Sequence, residues 1–163
     1  MKNEYLFKLK HAIDKCKSLV GVKFAYALAK NAELIQGEID ALNASLKMSK
    51  EYSVFDKKRI ELAKSHAKIE NGIHVVKQKI VGEGRWEEYY EIGDQKAFDK
   101  AFEELKKANK KVVEAREKQL EEFNQLLKEE SSKLKFYKIK LSDVPQNISS
   151  EQMSGIYVLV EEK

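Results

Sequence analysis

Cysteine is nearly absent from this chain, and its scarcity excludes several classes of protein. Cys16 is the single cysteine among 163 residues, so neither a disulfide framework nor a paired-cysteine metal site is available. No apolar run approaches the roughly 20 residues that span a bilayer. The first residues, Met-Lys-Asn-Glu-Tyr-Leu, carry charge throughout and lack the apolar core of a signal peptide. We therefore expect a reducing, cytoplasmic setting and no contact with a membrane.

Proline and glycine, which interrupt helices, are also scarce. The chain has one proline, Pro145, and seven glycines, while 36% of its residues are charged, against about 25% in an average domain. The net charge is only +4, and lysine alternates with glutamate as it does on solvated helix faces. This composition favours a helical protein with a large surface relative to its core. The small charge excess does not by itself indicate a nucleic-acid partner.

A seven-residue apolar repeat marks two long helical segments. The repeating residues are Leu28, Ile35 and Leu42 in the first segment, and Phe98, Leu105, Val112 and Leu126 in the second. Such a repeat places a narrow apolar seam along a helix, which an opposing helix must cover. The sequence therefore predicts a mainly α fold: an antiparallel, coiled-coil-like hairpin of long helices, with a small inserted β-hairpin and a short C-terminal strand-plus-helix tail.

We predict one elongated domain over residues 1–163. Its segments are a short helix (4–20), a helical arm (22–67), the β-hairpin insert (68–93), a second arm (95–131) and the strand and short helix of the tail (133–161). Gly21 is expected to end the first helix in the left-handed conformation. Ser49 and Asp94 are expected to cap later helices, since serine and aspartate side chains accept hydrogen bonds from free backbone amides at a helix start.

The insert is predicted from turn signals and β-branched residues. Asn71 and Gly72 form a tight-turn dipeptide, residues 73–81 are rich in valine and isoleucine, and residues 82–84 supply a second turn. The insert should be a hairpin or a three-stranded meander, in which Trp86, Tyr90 and Ile92 share one face. Residues 133–141 alternate lysine with apolar side chains and predict a further strand. A short amphipathic helix should follow from residue 149 to residue 160.

Catalytic signatures are missing. His11, His66 and His74 lie far apart, without a carboxylate or cysteine at metal-ligand spacing. Glycine motifs that cradle phosphates are absent, and the glutamate pairs lie on lysine-rich helix faces, where acid–base pairs are not tuned. We predict a protein that is not an enzyme and that has no cofactor and no metal. Cys16 follows the apolar stripe of the first helix and should be buried.

Two groups of residues are candidates for binding a protein partner. Aromatic rings with arginine often anchor interfaces, although cross-strand packing inside the small sheet would explain the same pattern. The tail helix has an apolar stripe that a partner could cover. The candidate residues are Arg85, Trp86, Tyr89 and Tyr90 in the hairpin, and Met153, Ile156 and Tyr157 in the tail.

An alternative partner is nucleic acid, bound through lysines of the first helix and of the predicted tail strand. These residues are Lys8, Lys10, Lys15, Lys17, Lys133 and Lys135. Lysine on an edge strand also prevents sheet-to-sheet aggregation, so phosphate binding is not the only interpretation. Binding driven by phosphate contacts should weaken steeply as salt rises.

Five stretches, residues 21–31, 59–67, 97–102, 116–124 and 139–145, together resemble small helical proteins of unassigned function that bacteriophages encode. The resemblance implies a viral gene product that acts in the host cytoplasm and brings no catalytic residues. The layout of two helical arms joined through β-hairpins also resembles prefoldin, a holding chaperone. We expect a non-enzymatic phage-type protein that binds another protein, as an inhibitor of a host component or as a virion or assembly accessory. It could also form a homo-oligomer; a nucleic-acid accessory role and a prefoldin-like chaperone role are the alternatives.

Overall fold

Six α-helices and six short strands make up the described part of the chain in a computed structural model, which covers residues 1–81, 85–131 and 134–161 and gives only the backbone of Val81 and Arg85. The helices are α1 Glu4–Lys15, α2 Val22–Ser45, α3 Lys50–Ser65, α4 Gln95–Ala108, α5 Lys110–Lys128 and α6 Ser150–Ile156. The strands are β1 Ile69–Glu70, β2 Ile73–His74, β3 Val76–Val81, β4 Arg85–Tyr90, β5 Ile139–Lys140 and β6 Val160–Glu161. The predicted mainly α fold with a β insert and a strand-plus-helix tail is confirmed.

The chain divides into two compact units. Unit 1 comprises Met1–Lys47 and Leu120–Lys163, and unit 2 comprises Met48–Gln119. One boundary follows α2, and the other lies within α5. The predicted break near Ser49 is confirmed, because α2 ends at Ser45 and α3 begins at Lys50.

Unit 1 contains the main hydrophobic core. Its buried members come from α1, the connection between α1 and α2, α2 itself and the tail: Leu6, Leu9, Ile13, Cys16, Leu19, Phe24, Ala27, Leu28, Ile35, Ile39, Leu42, Ile139, Ile156 and Leu159. Three partly buried residues of α5, namely Phe123, Leu126 and Leu127, pack against this core. The seam predicted on α2 is therefore buried, and each fully buried leucine or isoleucine contributes about 1.5–3 kcal/mol relative to an exposed one.

The end of the first helix differs from the prediction. Helix α1 stops at Lys15, and Cys16 occupies its C-cap position, so the expectation that Gly21 ends it is wrong. The chain turns early because both Cys16 and Leu19 enter the core, with the Leu19 amide bonded to the Cys16 carbonyl at 3.0 Å. Gly21 instead precedes α2 as its N-cap residue.

The tail contains less strand than the alternation of its residues predicts. Only Ile139 and Lys140 form β5, which pairs in parallel with β6, and residues 134–138 have no regular structure. The predicted alternation is confirmed only for residues 134–136, where Leu134 and Phe136 pack against the core and Lys135 is exposed. It shifts after Phe136, because Tyr137 and Lys138 are both exposed and Ile139 is the next buried residue. Helix α6 begins as predicted, with a capping box between Ser149 and Gln152, but ends at Ile156, before a 3₁₀ turn and β6. Lys133 lies outside the described residues.

Unit 2 is built on an antiparallel helix pair. The Arg116 guanidinium carbon of α5 lies 5.4 Å from the ring centroid of Tyr52, in the first turn of α3. The rings of His66, just after α3, and Phe98 of α4 meet edge-on, with centroids 6.0 Å apart. The first turn of α3 thus packs against α5, and the residue after its last turn packs against α4, so the helices run antiparallel. The predicted caps are confirmed, since Ser49 and Asp94 each accept a backbone hydrogen bond of 3.0 Å, from the amides of Tyr52 and Ala97. The α4–α5 segment breaks at Asn109, whose side-chain amide donates to the Leu105 carbonyl at 2.8 Å and so competes with regular helix bonding.

The insert consists of two antiparallel strand pairs instead of a single hairpin or a three-stranded meander. β1 pairs with β2 across Asn71 and Gly72, which both have positive φ angles of 52° and 78°, as a type I′ turn requires. β3 pairs with β4. The predicted strand over residues 73–81 is interrupted at Val75, where the chain passes from one pair to the other.

Candidate protein-interaction surface

The β3–β4 pair has two faces of different chemistry. In an antiparallel pair, residues directly opposite each other point to the same side. The register joins Val76 to Tyr90, Gln78 to Glu88 and Ile80 to Trp86. We call this side the Trp86 face: Val76, Gln78, Ile80, Trp86, Glu88 and Tyr90. The opposite side, the lysine face, has Lys77, Lys79, Glu87 and Tyr89.

The Trp86 face is apolar but largely uncovered. Trp86 is 61% exposed, Ile80 60% and Val76 47%. One polar pair interrupts it, because the Gln78 side-chain amide donates to a Glu88 carboxylate oxygen at 3.3 Å. Antiparallel sheets commonly bury their apolar face and solvate the other. Here both faces are open, so the apolar face has no cover within the described residues of its own unit.

At the base of the pair, Tyr90 is held by the neighbouring strand. Its ring meets that of His74 edge-on, with the ring centroids 6.0 Å apart. The His74 Nδ1 atom is buried and has no hydrogen-bond partner among the described residues. Tyr90 is therefore half-buried against His74. Trp86, near the other end of the ladder, is 61% exposed and has no such ring contact among the described residues.

Ion pairs stabilise the lysine face. Lys79 lies 3.5 Å from Glu87, and Lys77 lies 3.0 Å from Glu91. The Lys79 ammonium also lies over the Tyr89 ring at 5.8 Å. The predicted aromatic cluster is thus divided: Trp86 and Tyr90 lie on one face, as predicted, and Tyr89 lies on the other. The Arg85 side chain lies outside what the structure describes.

The tail stripe is used mainly inside unit 1. Ile156 is fully buried in the core and Met153 is half-buried, while Tyr157 is exposed. Helix α6 packs so closely on α1 that a Cβ at Gly155 would lie 2.7 Å from the Cβ of Ala12. The expected partner surface of the tail therefore needs correction: its apolar stripe covers α1, because this stripe completes the core of unit 1.

Most of the described candidate lysines are already paired. Lys10 and Lys17 lie 2.9 and 2.8 Å from the Asp14 carboxylate, and Lys15 lies 2.7 Å from Glu151. The hydrogen bond from Lys17, followed by that from Lys10, lowers the pKa of Asp14. Lys15 lowers the pKa of Glu151 in the same way. This pairing reduces the positive field that phosphate groups would meet.

The remaining described candidate lysines and Cys16 have simple surroundings. Lys8 lies over the Tyr5 ring at 5.4 Å, and Lys135 is exposed. Cys16 is fully buried, as predicted, and desolvation raises the pKa of its thiol, so the reactive thiolate is disfavoured.

The histidines remain dispersed. His11 is exposed on α1, and the His66 Nδ1 atom lies 3.1 Å from both the Ser65 hydroxyl and the Leu62 carbonyl oxygen. Over residues 1–81, 85–131 and 134–161, three or more histidine, cysteine or acidic side chains do not gather at any point as a metal site would need.

Unit 1 also contains a buried polar residue that the sequence analysis missed. Asn31 of α2 is completely buried, and its side chain makes two hydrogen bonds of 2.8 Å to the backbone of Tyr137, donating to the carbonyl and accepting from the amide. These are the bonds that a neighbouring strand would otherwise supply. Asn31 lies between Leu28 and Ile35 on the buried stripe of α2, and an asparagine at a core position was the available signal.

A surface groove lies beside this clamp. It has a volume of about 430 Å³, and Val22, Tyr26, Tyr137 and Lys140 are among its lining residues. The two tyrosine rings meet edge-on, with centroids 6.5 Å apart. Charges of both signs surround the groove, including Lys23 and Asp143 at 3.8 Å, so it has no clear preference for a charged ligand.

Comparison with known proteins adds no relative. The chain shows no significant match to a protein-family model, a curated protein or a solved structure. Among the described helices, none is both long enough and apolar enough to cross a bilayer. The phage resemblance and the prefoldin-like layout stay predictions from the sequence.

Proposed function

We propose that this protein is a non-enzymatic binding protein that contacts another protein through the Trp86 face. The observation that carries the proposal is the exposure of Val76, Ile80 and Trp86 together on one side of a two-stranded sheet. Isolated apolar residues on a surface need no explanation, but exposed apolar residues grouped on one face, here on both sides of the Gln78–Glu88 pair, mark an interaction site. Tryptophan is also among the residues most often found at the energetic centre of an interface.

The weak internal burial of unit 2 supports the same conclusion. Among its described residues only Phe55 and Ala67 are buried apolar residues. The seam of α4, formed by Phe98, Phe102 and Leu105, is only half-buried. A two-stranded sheet is at best marginally stable by itself and needs packing on a further surface. A partner on the Trp86 face would provide such a surface.

Charge placement further favours a protein partner. The Trp86 face has no lysine or arginine and one carboxylate, that of Glu88, which is hydrogen-bonded to Gln78. A low share of charged residues is typical of protein interfaces, and the Trp86 face has a single charge, in the middle of the patch. Nucleic-acid surfaces are instead strongly positive. The proposal also includes a phage origin and a cytoplasmic location, which follow from the sequence resemblance and the single cysteine. The partner class is a host or viral protein, and a further copy of this chain belongs to that class.

A photo-crosslinking pair tests the proposed surface. A benzophenone amino acid would replace Ile80 on the Trp86 face in one variant and Lys79 on the lysine face in the other. We expect crosslinked adducts from position 80 in the cells that naturally produce the protein, and few from position 79. Mass spectrometry identifies whatever is attached. Equal adducts from both positions, or none from position 80, would contradict the proposal.

No specific observation among the described residues supports the two alternatives from the sequence, the nucleic-acid accessory role and the prefoldin-like chaperone role. Lys10, Lys15 and Lys17, which a nucleic-acid role would need, are engaged with carboxylates. The prefoldin-like role requires a defined oligomer held by the hairpin together with suppression of client aggregation. Salt titration of nucleic-acid binding and an aggregation assay test these two alternatives.

A further inference from the structure

We propose that the partner on the Trp86 face is a second copy of this chain, stacked face to face about a two-fold axis with the two hairpins antiparallel. This inference rests on the proposed function, since it names the partner of the same surface. It follows from the order of side chains along the β3–β4 ladder, from the polar pair at its centre and from the charges on the opposite side.

The ladder has three cross-strand pairs on the Trp86 face. The Ile80–Trp86 pair lies nearest residues 82–84 along the chain, Gln78–Glu88 lies in the middle, and Val76–Tyr90 lies at the base. Successive pairs on one face are about 6.8 Å apart along the strands. A two-fold axis through the middle pair therefore places the Ile80–Trp86 pair of each copy over the Val76–Tyr90 pair of the other.

This overlap matches shape at both ends. On this face Trp86 and Ile80 are the most exposed of the large apolar residues, at 61% and 60%, and they lie opposite each other in the ladder. Val76 is smaller, and Tyr90 is held back against His74. The exposed Ile80–Trp86 pair of each copy thus lies against the less exposed Val76–Tyr90 pair of the other. An isologous interface requires such a patch, which is complementary to itself.

The Gln78–Glu88 pairs of the two copies can form hydrogen bonds to each other across the axis. The Gln78 amide group has two N–H donors, of which one serves the Glu88 carboxylate of its own chain at 3.3 Å. The second N–H can donate to the Glu88 carboxylate of the other copy, and the reverse bond follows by symmetry. The two carboxylates near the axis repel each other, so the arrangement predicts that removal of the Glu88 charge strengthens association.

Charges disfavour the alternative of pairing through the strand edges. A two-fold pairing through β3 would bring Lys77 and Lys79 of both copies close together, and one through β4 would do the same with Glu87 and Glu88. Like charges directly opposite each other destabilise a strand pair. Stacking through the Trp86 face brings together only the two Glu88 carboxylates, each hydrogen-bonded to Gln78. It leaves Lys77, Lys79 and Glu87 outside, with their existing ion pairs.

The expected affinity is low. A stable interface commonly buries about 1,200–2,000 Å² in total, and six residues per copy cover less than that. We therefore expect association in the micromolar range or weaker, dependent on protein concentration. A reversible dimer of this kind has a monomer whose Trp86 face is open for other contacts.

The full-length protein contains its own probe, because Trp86 is the only tryptophan. Its emission should shift to shorter wavelength as concentration rises from low to high micromolar, and sedimentation analysis should give a mass that approaches twice the monomer value. Gln78→Glu places two further carboxylates at the axis and should keep Trp86 emission at long wavelength and the mass monomeric. Lys79→Gln changes the net charge by the same amount on the lysine face and should dimerise like the parent protein. Glu88→Gln should dimerise at lower concentration.

The outcomes separate this inference from the proposed function. A protein that stays monomeric with unshifted emission at all concentrations refutes self-association, and so does a dimer that Gln78→Glu leaves intact. If that monomer still crosslinks from position 80 to a different protein, the proposed function stands and only the second copy is excluded. If position 80 yields no adduct at all, both fail. Far-UV circular dichroism verifies that each variant is folded, and Glu88→Gln keeps the inference testable if Gln78→Glu does not fold.

Discussion

Replacement of Asn31 by alanine should destabilise unit 1 through the loss of two specific hydrogen bonds. The side chain is completely buried and bonds both the amide and the carbonyl of Tyr137 at 2.8 Å. A typical intramolecular hydrogen bond contributes about 0.5–1.5 kcal/mol net, so the two together account for about 1–3 kcal/mol of the free energy of unfolding. Asn31→Ala should lower the stability by that amount.

Two measurements check this prediction. Urea unfolding followed by circular dichroism gives the change in stability, and hydrogen exchange reports the Tyr137 amide, which should exchange faster in Asn31→Ala because its acceptor is gone. The matched control is Asn43→Ala, since Asn43 is exposed on the same helix and its loss should change stability by less than about 0.5 kcal/mol. A variant at position 31 that unfolds like the parent protein and leaves the Tyr137 amide equally protected would refute the role of this clamp.

Two further predictions concern packing and pH. Gly155→Ala should destabilise the protein by about 1–3 kcal/mol, because the new Cβ would lie 2.7 Å from that of Ala12; thermal unfolding measures this. Ala12→Gly in the same chain should restore part of the stability, since a glycine inside α1 itself costs about 0.5–1 kcal/mol. Gly37→Ala is the control, since that Cβ would have nothing within 4 Å and should stabilise α2 by about 0.5–1 kcal/mol; a loss at position 37 as large as at position 155 would contradict the packing argument. The pKa of Asp14 is lowered in the folded protein by its two lysine partners, so its stabilising effect is present above the unfolded-state pKa and is lost as the pH falls through the folded-state value. On acidification below about pH 4, the melting temperature of Asp14→Asn should therefore fall less than that of the parent protein. Parallel plots of melting temperature against pH for the two proteins would show that this ion-paired carboxylate contributes nothing to stability.

The sequence determined the local elements because their signals are local. Ser49 and Asp94 cap helices where predicted, since an N-cap bond joins residues three positions apart. Asn71 and Gly72 adopt the positive φ angles that their types favour. The period of Leu28, Ile35 and Leu42 correctly identified the buried side of α2, and period-two alternation correctly placed Trp86 and Tyr90 on one face.

Tertiary structure decided which apolar stripes are covered and by what. The stripe of α6 and the Trp86 face look alike in sequence, yet Ile156 is buried on α1 while Trp86 is 61% exposed. The sequence predicts one strand over residues 133–141, but at Tyr137 the side chain of Asn31, 106 positions away in sequence, makes the two backbone hydrogen bonds that a neighbouring strand would supply. Periodicity predicts only which side chains of an element must be buried against another element. Which element that is depends on contacts between residues distant in the chain, and these exist only once the chain has folded.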